Sequence, residues 1–256
     1  MQFNKLHFYI LISMRNVFII SILLSFNTVL AQNEFNYFSY KVFNSNNDLQ
    51  SNKQLEGLIN KNNDTIFYEL KLHNSKAILQ AVEVLDNSQS KLLNLNKVFK
   101  DTQGKFYYDE KERIVENQKN VLGKTFIVRD HFESFNWDIQ DEFEKIDDRI
   151  CRKAILTKKE KDSRGREKDY KITVWYDDSF PQNISPFGLV GLDGLIVKID
   201  FNGSFVSILN EYKNIKIDKP ILPFKTGIYT TEAEIQNLIV DYFIKRREQV
   251  LGVDKD

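Results

Sequence analysis

The chain has 256 residues, with 36 basic and 36 acidic side chains for a formal net charge of zero, and 13% aromatic residues, mostly Phe and Tyr. A nucleic-acid binder needs a basic face that neutralises several phosphates, and these balanced, interspersed charges argue against that class. Cys151 is the single cysteine, so an oxidising compartment offers it no partner in its own chain and packing must hold the fold together.

Residues 1–31 contain Lys5 and Arg15 but no acid, and residues 17–26 form an apolar run of about ten. That length suits a secretory h-region and is too short to span a bilayer. Val29 and Ala31 supply the small −3 and −1 residues of a cleavage site. The expectation is a signal peptide over 1–31, a mature start at Gln32, and export to the periplasm or cell envelope. Met14 offers a second start, because M-R-N-V-F-I-I is a compact signal by itself. No cysteine follows the expected cut, which rules out a lipoprotein anchor there. The mature chain keeps 34 basic and 36 acidic residues, a formal charge of −2. Residues 32–256 suffice for one domain with a full core, and no transmembrane segment is expected in them.

Residues 64–72 alternate apolar and polar side chains, the period of a half-buried strand, and another strand is expected at 35–42. A run over 75–85 follows the polar His73-Asn74 break and predicts a hairpin. The stretch 45–63, rich in Asn, Ser, Lys and Gln, reads as a loop with a short helix. Further strands are expected at 105–108, 113–116, 125–130 and 137–139. Strands 149–157 and 169–175 bracket K-K-E-K-D-S-R-G-R-E-K, read as a long solvated hairpin tip. Asn202-Gly203 predicts a two-residue type I′ turn, because that dipeptide accepts positive φ at both positions. It joins strands 195–201 and 204–209, with 212–217 continuing the second past a bend.

A helix is predicted over 231–248. Thr231 and Glu234 form a capping box, and Ile235, Leu238, Ile239, Tyr242 and Phe243 recur on one face. That stripe should cover a sheet face or edge. Lys245, Arg246 and Arg247 at its C-terminal end complement the helix dipole. Many short strands at hairpin spacing give the fold expectation: a mainly β protein, an antiparallel curved sheet or half-open barrel with a C-terminal amphipathic helix.

Residues 185–200 read S-P-F-G-L-V-G-L-D-G-L-I-V-K-I-D. Gly191-Leu192-Asp193-Gly194-Leu195-Ile196 resembles the G-L-P-G-L-I hexapeptide of the GLPGLI family, small exported bacterial proteins without an assigned biochemical role. Upstream, Trp137 and Ile139, then Glu144, Lys145 and Ile146, then Cys151, Lys153 and Ala154, then Trp175-Tyr176 and Pro186 fall in that family's order. The resemblance spans residues 126–200. Asp193 stands where the family has proline, and Ser185 where it has glycine. Aspartate leaves φ and the amide free, where proline would fix one and remove the other.

Gly188, Gly191 and Gly194 recur every third residue but lead into a strand, whereas a phosphate-cradling loop needs a helix behind it. They let the backbone take positive φ or pass close to Trp175 and Tyr176. The functional alternative is a ligand or partner loop of Trp175, Tyr176, Pro186, Phe187, Gly188, Leu189, Val190, Gly191, Leu192, Asp193, Gly194, Leu195 and Ile196. For catalysis the mature chain offers His73 and His131. A Cys151–His131 pair oriented by Asp130 or Glu133 is the one nucleophile and base to weigh, and no local catalytic motif accompanies it. The histidines lack metal-ligand spacing, and Asp177-Asp178 and Asp193 do not match a calcium loop. No metal or other cofactor is expected. The function expected is an exported cell-envelope binding or assembly module without catalysis, its partner an envelope protein or an apolar ligand. The alternatives are a periplasmic carrier or sensor of an apolar ligand and a Cys151-dependent enzyme.

Overall fold

The structure, a computed structural model, describes residues 34–45, 65–83, 95–162, 164–183, 185–216 and 219–251. The expected signal peptide, the cleavage site and nearly all of the polar stretch after residue 44 lie outside them. Residues 35–215 and those from 221 onward belong to one compact unit, which is the one described below; Glu34 and the described part of Lys216–Pro220 group apart from it.

The strands are β1 (Glu34–Asn44), β2 (Ile66–His73), β3 (Lys76–Ala81), β4 (Lys105–Asp109), β5 (Ile114–Val121), β6 (Lys124–His131), β7 (Asp138–Ile146), β8 (Arg149–Lys161), β9 (Glu167–Asp177), β10 (Leu195–Phe201), β11 (Phe205–Lys216) and β12 (Ile228–Thr230). They make one open sheet in the order β12-β6-β5-β4-β3-β2-β1-β11-β10-β9-β8-β7. The hairpin pairings are antiparallel. β12 departs from this, pairing parallel to β6, because a long crossover returns the chain to the far edge. The protein is thus mainly β, with a large open sheet and a C-terminal helix.

The alternation seen in sequence sets the inner face. Phe38 pairs with Leu70, Leu70 with Leu79 and Leu79 with Phe106, so one apolar row crosses the four strands β1, β2, β3 and β4 on the buried side. Each such side chain contributes about 1.5–3 kcal/mol by leaving water. At the predicted β10–β11 turn Asn202 and Gly203 have φ of 54° and 74°, and Ser204 N donates to Phe201 O at 3.0 Å.

Connectivity dictates the curvature. β6 and β7 are ten strand positions apart, about 48 Å on a flat sheet. The chain from His131 to Asp138 can span no more than about 25 Å. The sheet must therefore curl until its ends approach while staying open, in line with the curved sheet or half-open barrel expected from sequence. Aromatic contacts agree: Phe187 lies 6.5 Å from Phe106 on β4 and 5.4 Å from Phe201 on β10, rings on strands five positions apart.

Among the described residues, two α-helices close the unit. α1 (Leu95–Gln103), which the sequence did not announce, puts Phe99 inside against Tyr68, Phe187, Phe201 and Phe205. α2 (Glu232–Leu251) begins with the predicted capping box: Glu234 N donates to Thr231 Oγ1 at 3.2 Å and Thr231 N to Glu234 Oε2 at 3.0 Å. Its first half spans the open side of the barrel. Lys119 on β5 bonds Glu232, Ile235 packs on Phe126 and Val128 of β6, and Lys161 at the end of β8 bonds Asn237.

Three expectations change. The apolar stripe of α2 docks only through Ile235, Ile239 and Val240, while Leu238, Tyr242 and Phe243 are exposed. α2 runs on to Leu251 with no basic residue in its last turn, so Lys245, Arg246 and Arg247 sit where the dipole interaction has already faded. The hairpin tip is short, because β8 and β9 stay paired out to Lys161 and Glu167 despite their charges.

Candidate functional site

The loop over 185–194 lies inside the curl. Pro186, Phe187, Gly188, Leu189, Val190 and Leu192 are buried, as are Gly194, Leu195 and Ile196, while Gly191 and Asp193 reach solvent. Phe187 is the centre of an aromatic group that includes Tyr68, Phe99, Phe106 and Phe201. Hydrogen bonds fix the backbone around it. Gly188 N donates to the Tyr108 hydroxyl at 2.9 Å, Trp137 Nε1 donates to Val190 O at 2.8 Å, and Tyr40 OH donates to Ile196 O at 2.9 Å. The apolar side chains expected as contact residues are the filling of the barrel.

The glycines have steric reasons to be there. At Gly194 φ is +135°, and a Cβ would stand 2.3 Å from Asp177 O. At Gly191 φ is +95°, with Phe132 O, Phe135 and Trp137 in contact. Gly191 thus meets Trp137 rather than Trp175, and Gly194 meets the residue just after Tyr176. Asn183 links the hexapeptide to its surroundings, accepting from Gly194 N at 3.1 Å and donating to Asp193 Oδ1 at 3.4 Å. Trp175 is half-buried on the outer face, with Lys198 Nζ 4.2 Å from its ring centre and bonded in turn to Glu144 at 3.1 Å. Tyr176 is buried.

Cys151 is fully buried. Burial, with Asp177 nearby, pushes its thiol up to about 11, so about one molecule in 10⁴ carries the thiolate near neutral pH. His131, Asp130 and Glu133 lie at the exposed end of β6 and just after it. Glu133 is engaged by Arg113, whose hydrogen bond lowers its carboxyl. Asp130 is raised, first by partial desolvation of its carboxyl, against the partial compensation of Lys158.

A groove that the sequence did not announce opens where the β7–β8 turn meets the ends of β9 and β10. It has a volume of about 700 Å³, and Phe143, Ile150, Val197 and Leu209 give it apolar walls. Phe143 and Ile150 are 58% and 67% exposed, large values for such side chains. Asp147, Asp148, Asp177 and Asp178 supply its acids, and Arg149 is the one cation among the described lining residues. Arg149 Nη1 donates to Asp177 Oδ2 at 2.6 Å, while Ser179 donates to Oδ1 through Oγ at 2.6 Å and N at 3.1 Å. Burial alone would raise Asp177, but these bonds hold its carboxyl below the usual value. With Arg149 engaged, Asp147, Asp148 and Asp178 leave the rim acidic. The signal in the sequence was F-E-K-I-D-D-R-I, an apolar-acidic alternation whose exposure depends on β7 being an edge strand.

A second buried polar group fastens β12. Glu116 on β5 is fully buried and accepts from Arg129 at 2.6 and 3.0 Å and from the Tyr229 hydroxyl at 3.0 Å. Among the described residues its Oε2 has no hydrogen-bond partner.

No model of a known protein family matches the sequence, and no curated protein matches it. Among solved structures the chain is similar to PNGF-II in a C2 crystal form, with 14% identity and a TM-score of 0.48 over 80% of this chain and 32% of that one. A P21 form gives 17% identity and a TM-score of 0.43 over 81% and 33%. The chain therefore spans about a third of the length of the protein it matches. Similarity at that level transfers neither site nor activity.

Proposed function

We propose that this chain is an exported cell-envelope binding or assembly module of the GLPGLI type, acting by contact rather than by catalysis. The observation that carries this reading is the contrast between a filled interior and an exposed apolar groove. Phe187 and its neighbours occupy the concave side where a carrier would hold a guest. The groove instead presents Phe143 and Ile150 to solvent beside an acidic rim, the composition of a surface that another polypeptide covers. The Cys151-dependent enzyme finds little support, since its thiol is buried and held protonated.

The test is made in cells. A photo-reactive residue placed at Ile150 is expected to cross-link to an envelope polypeptide, and the recovered protein to begin at Gln32. Retention in the cytoplasm with Met1 or Met14 intact would overturn the reading.

A further inference from the structure

The groove at the β7–β8 turn and the second half of α2 are complementary surfaces on one chain. The helix presents Tyr242 and Phe243, 40% and 46% exposed, followed by exposed Lys245, Arg246 and Arg247. The groove presents Phe143 and Ile150 behind Asp147, Asp148 and Asp178. One surface is apolar and basic, the other apolar and acidic, which is how amphipathic helices are received in grooves. The dipole of α2 does not explain the cations, since they precede its last turn.

The two surfaces of one molecule cannot meet. α2 crosses the end of β8 where Lys161 bonds Asn237, and from Asn237 to Arg247 the helix extends only about 15 Å. From Lys161 back to Ile150 the strand runs about 36 Å. We infer that the occupant of the groove is the α2 helix of a second copy of this chain. The contact is head-to-tail: each copy offers a helix to the next and a groove to the one before, giving a ring if the rotation closes and an open filament if it does not. This deepens the assembly reading above by naming the partner. A symmetric pairing of two β7 edges is disfavoured, because it would gather Asp138, Asp141, Glu142 and Glu144 of each copy on one seam against a single cation of that strand, Lys145.

Sedimentation of the full exported chain tests this, at about 100 µM, far above micromolar dissociation constants. The wild type is expected to form species larger than a monomer. Arg246→Glu with Arg247→Glu makes the helix acidic, and Asp148→Lys with Asp178→Lys makes the groove basic. Each variant alone is expected to stay monomeric, and an equimolar mixture to assemble again, because each then offers the other a complementary surface. Melting curves confirm that both fold; if either does not, Phe243→Ser and Phe143→Ser replace them, each expected to stay monomeric. A monomeric wild type, assembly undisturbed by these changes, or a mixture of folded variants that stays monomeric would overturn the proposal. Monomers that still cross-link through Ile150 to a different envelope protein would overturn self-assembly while leaving the binding-module reading intact.

Discussion

Two apolar segments of similar appearance meet opposite fates here. The loop over 185–194 and the stripe of α2 both read as surfaces in search of a cover. The loop is clamped from three sides, by Tyr108 at Gly188, by Trp137 at Val190 and by Asn183 at Gly194, and its side chains fill the barrel. The second half of α2 outruns the sheet that covers its first half, so Tyr242 and Phe243 remain outside. Local composition registers the need for burial. Whether the cover comes from the same chain is decided by reach and connectivity.

The sharpest way to break that comparison is to truncate one aromatic in each segment. Phe187→Ala should cost about 3–5 kcal/mol through the cavity left in the barrel, lowering the melting temperature by ~6–20 °C. Phe243→Ala, melted as a dilute monomer, should stay within about 0.5 kcal/mol of wild type. Equal losses would erase the distinction between inside and outside.

Gly194→Ala comes next. Its Cβ would meet Asp177 O at 2.3 Å with φ at +135°, and the strain should cost about 2–3 kcal/mol. Gly191→Ala, with Phe132 O at 3.2 Å as its tightest contact, should cost only about 1–2 kcal/mol. Thermal melts rank the two, and the reverse order would contradict the packing described.

Cys151→Ala should cost about 1 kcal/mol of packing without loss of a reaction. Thiol reagents should label the native protein far more slowly than the unfolded one. Rapid native labelling coupled to loss of envelope cross-linking would restore a working thiol.

The smallest effect concerns pH at the groove. Asp177 has a folded pKa below its unfolded value, so its bonds stabilise fully above about pH 4 and that contribution is lost as pH falls through the folded value. The melting-temperature gap between wild type and Asp177→Asn should therefore narrow below about pH 4. A gap independent of pH would mean that the Arg149–Asp177 pair contributes nothing to stability.

The fold was legible wherever side chains alternate strictly or a turn has only one chemistry. Asn202-Gly203 fixed β10 and β11, and the rows through Phe38, Leu70 and Leu79 fixed the inner face. Less was readable where the partner of a segment is remote in sequence. β7 was expected over 137–139 but runs to Ile146, because an edge strand with an acidic exposed face lacks the burial signal. β12 was missed because its three residues become a strand only by meeting β6. The glycines of the hexapeptide could be singled out as positive-φ positions, yet nothing local told that Phe187 and Leu189 point inward. The groove combines Phe143, Ile150 and Asp178 from three strand ends, and no single stretch displays it.

The central claim is that the hexapeptide loop is interior and the far half of α2 exterior. Amide hydrogen exchange, resolved by residue, tests it most directly. The amides of Gly188, Leu189 and Gly194, bonded to Tyr108, Pro186 and Asn183, should exchange only through opening of the whole unit. Those over 241–247 should exchange orders of magnitude faster, by fraying, in dilute protein. Loop amides that exchange as fast as the end of the helix would contradict the account.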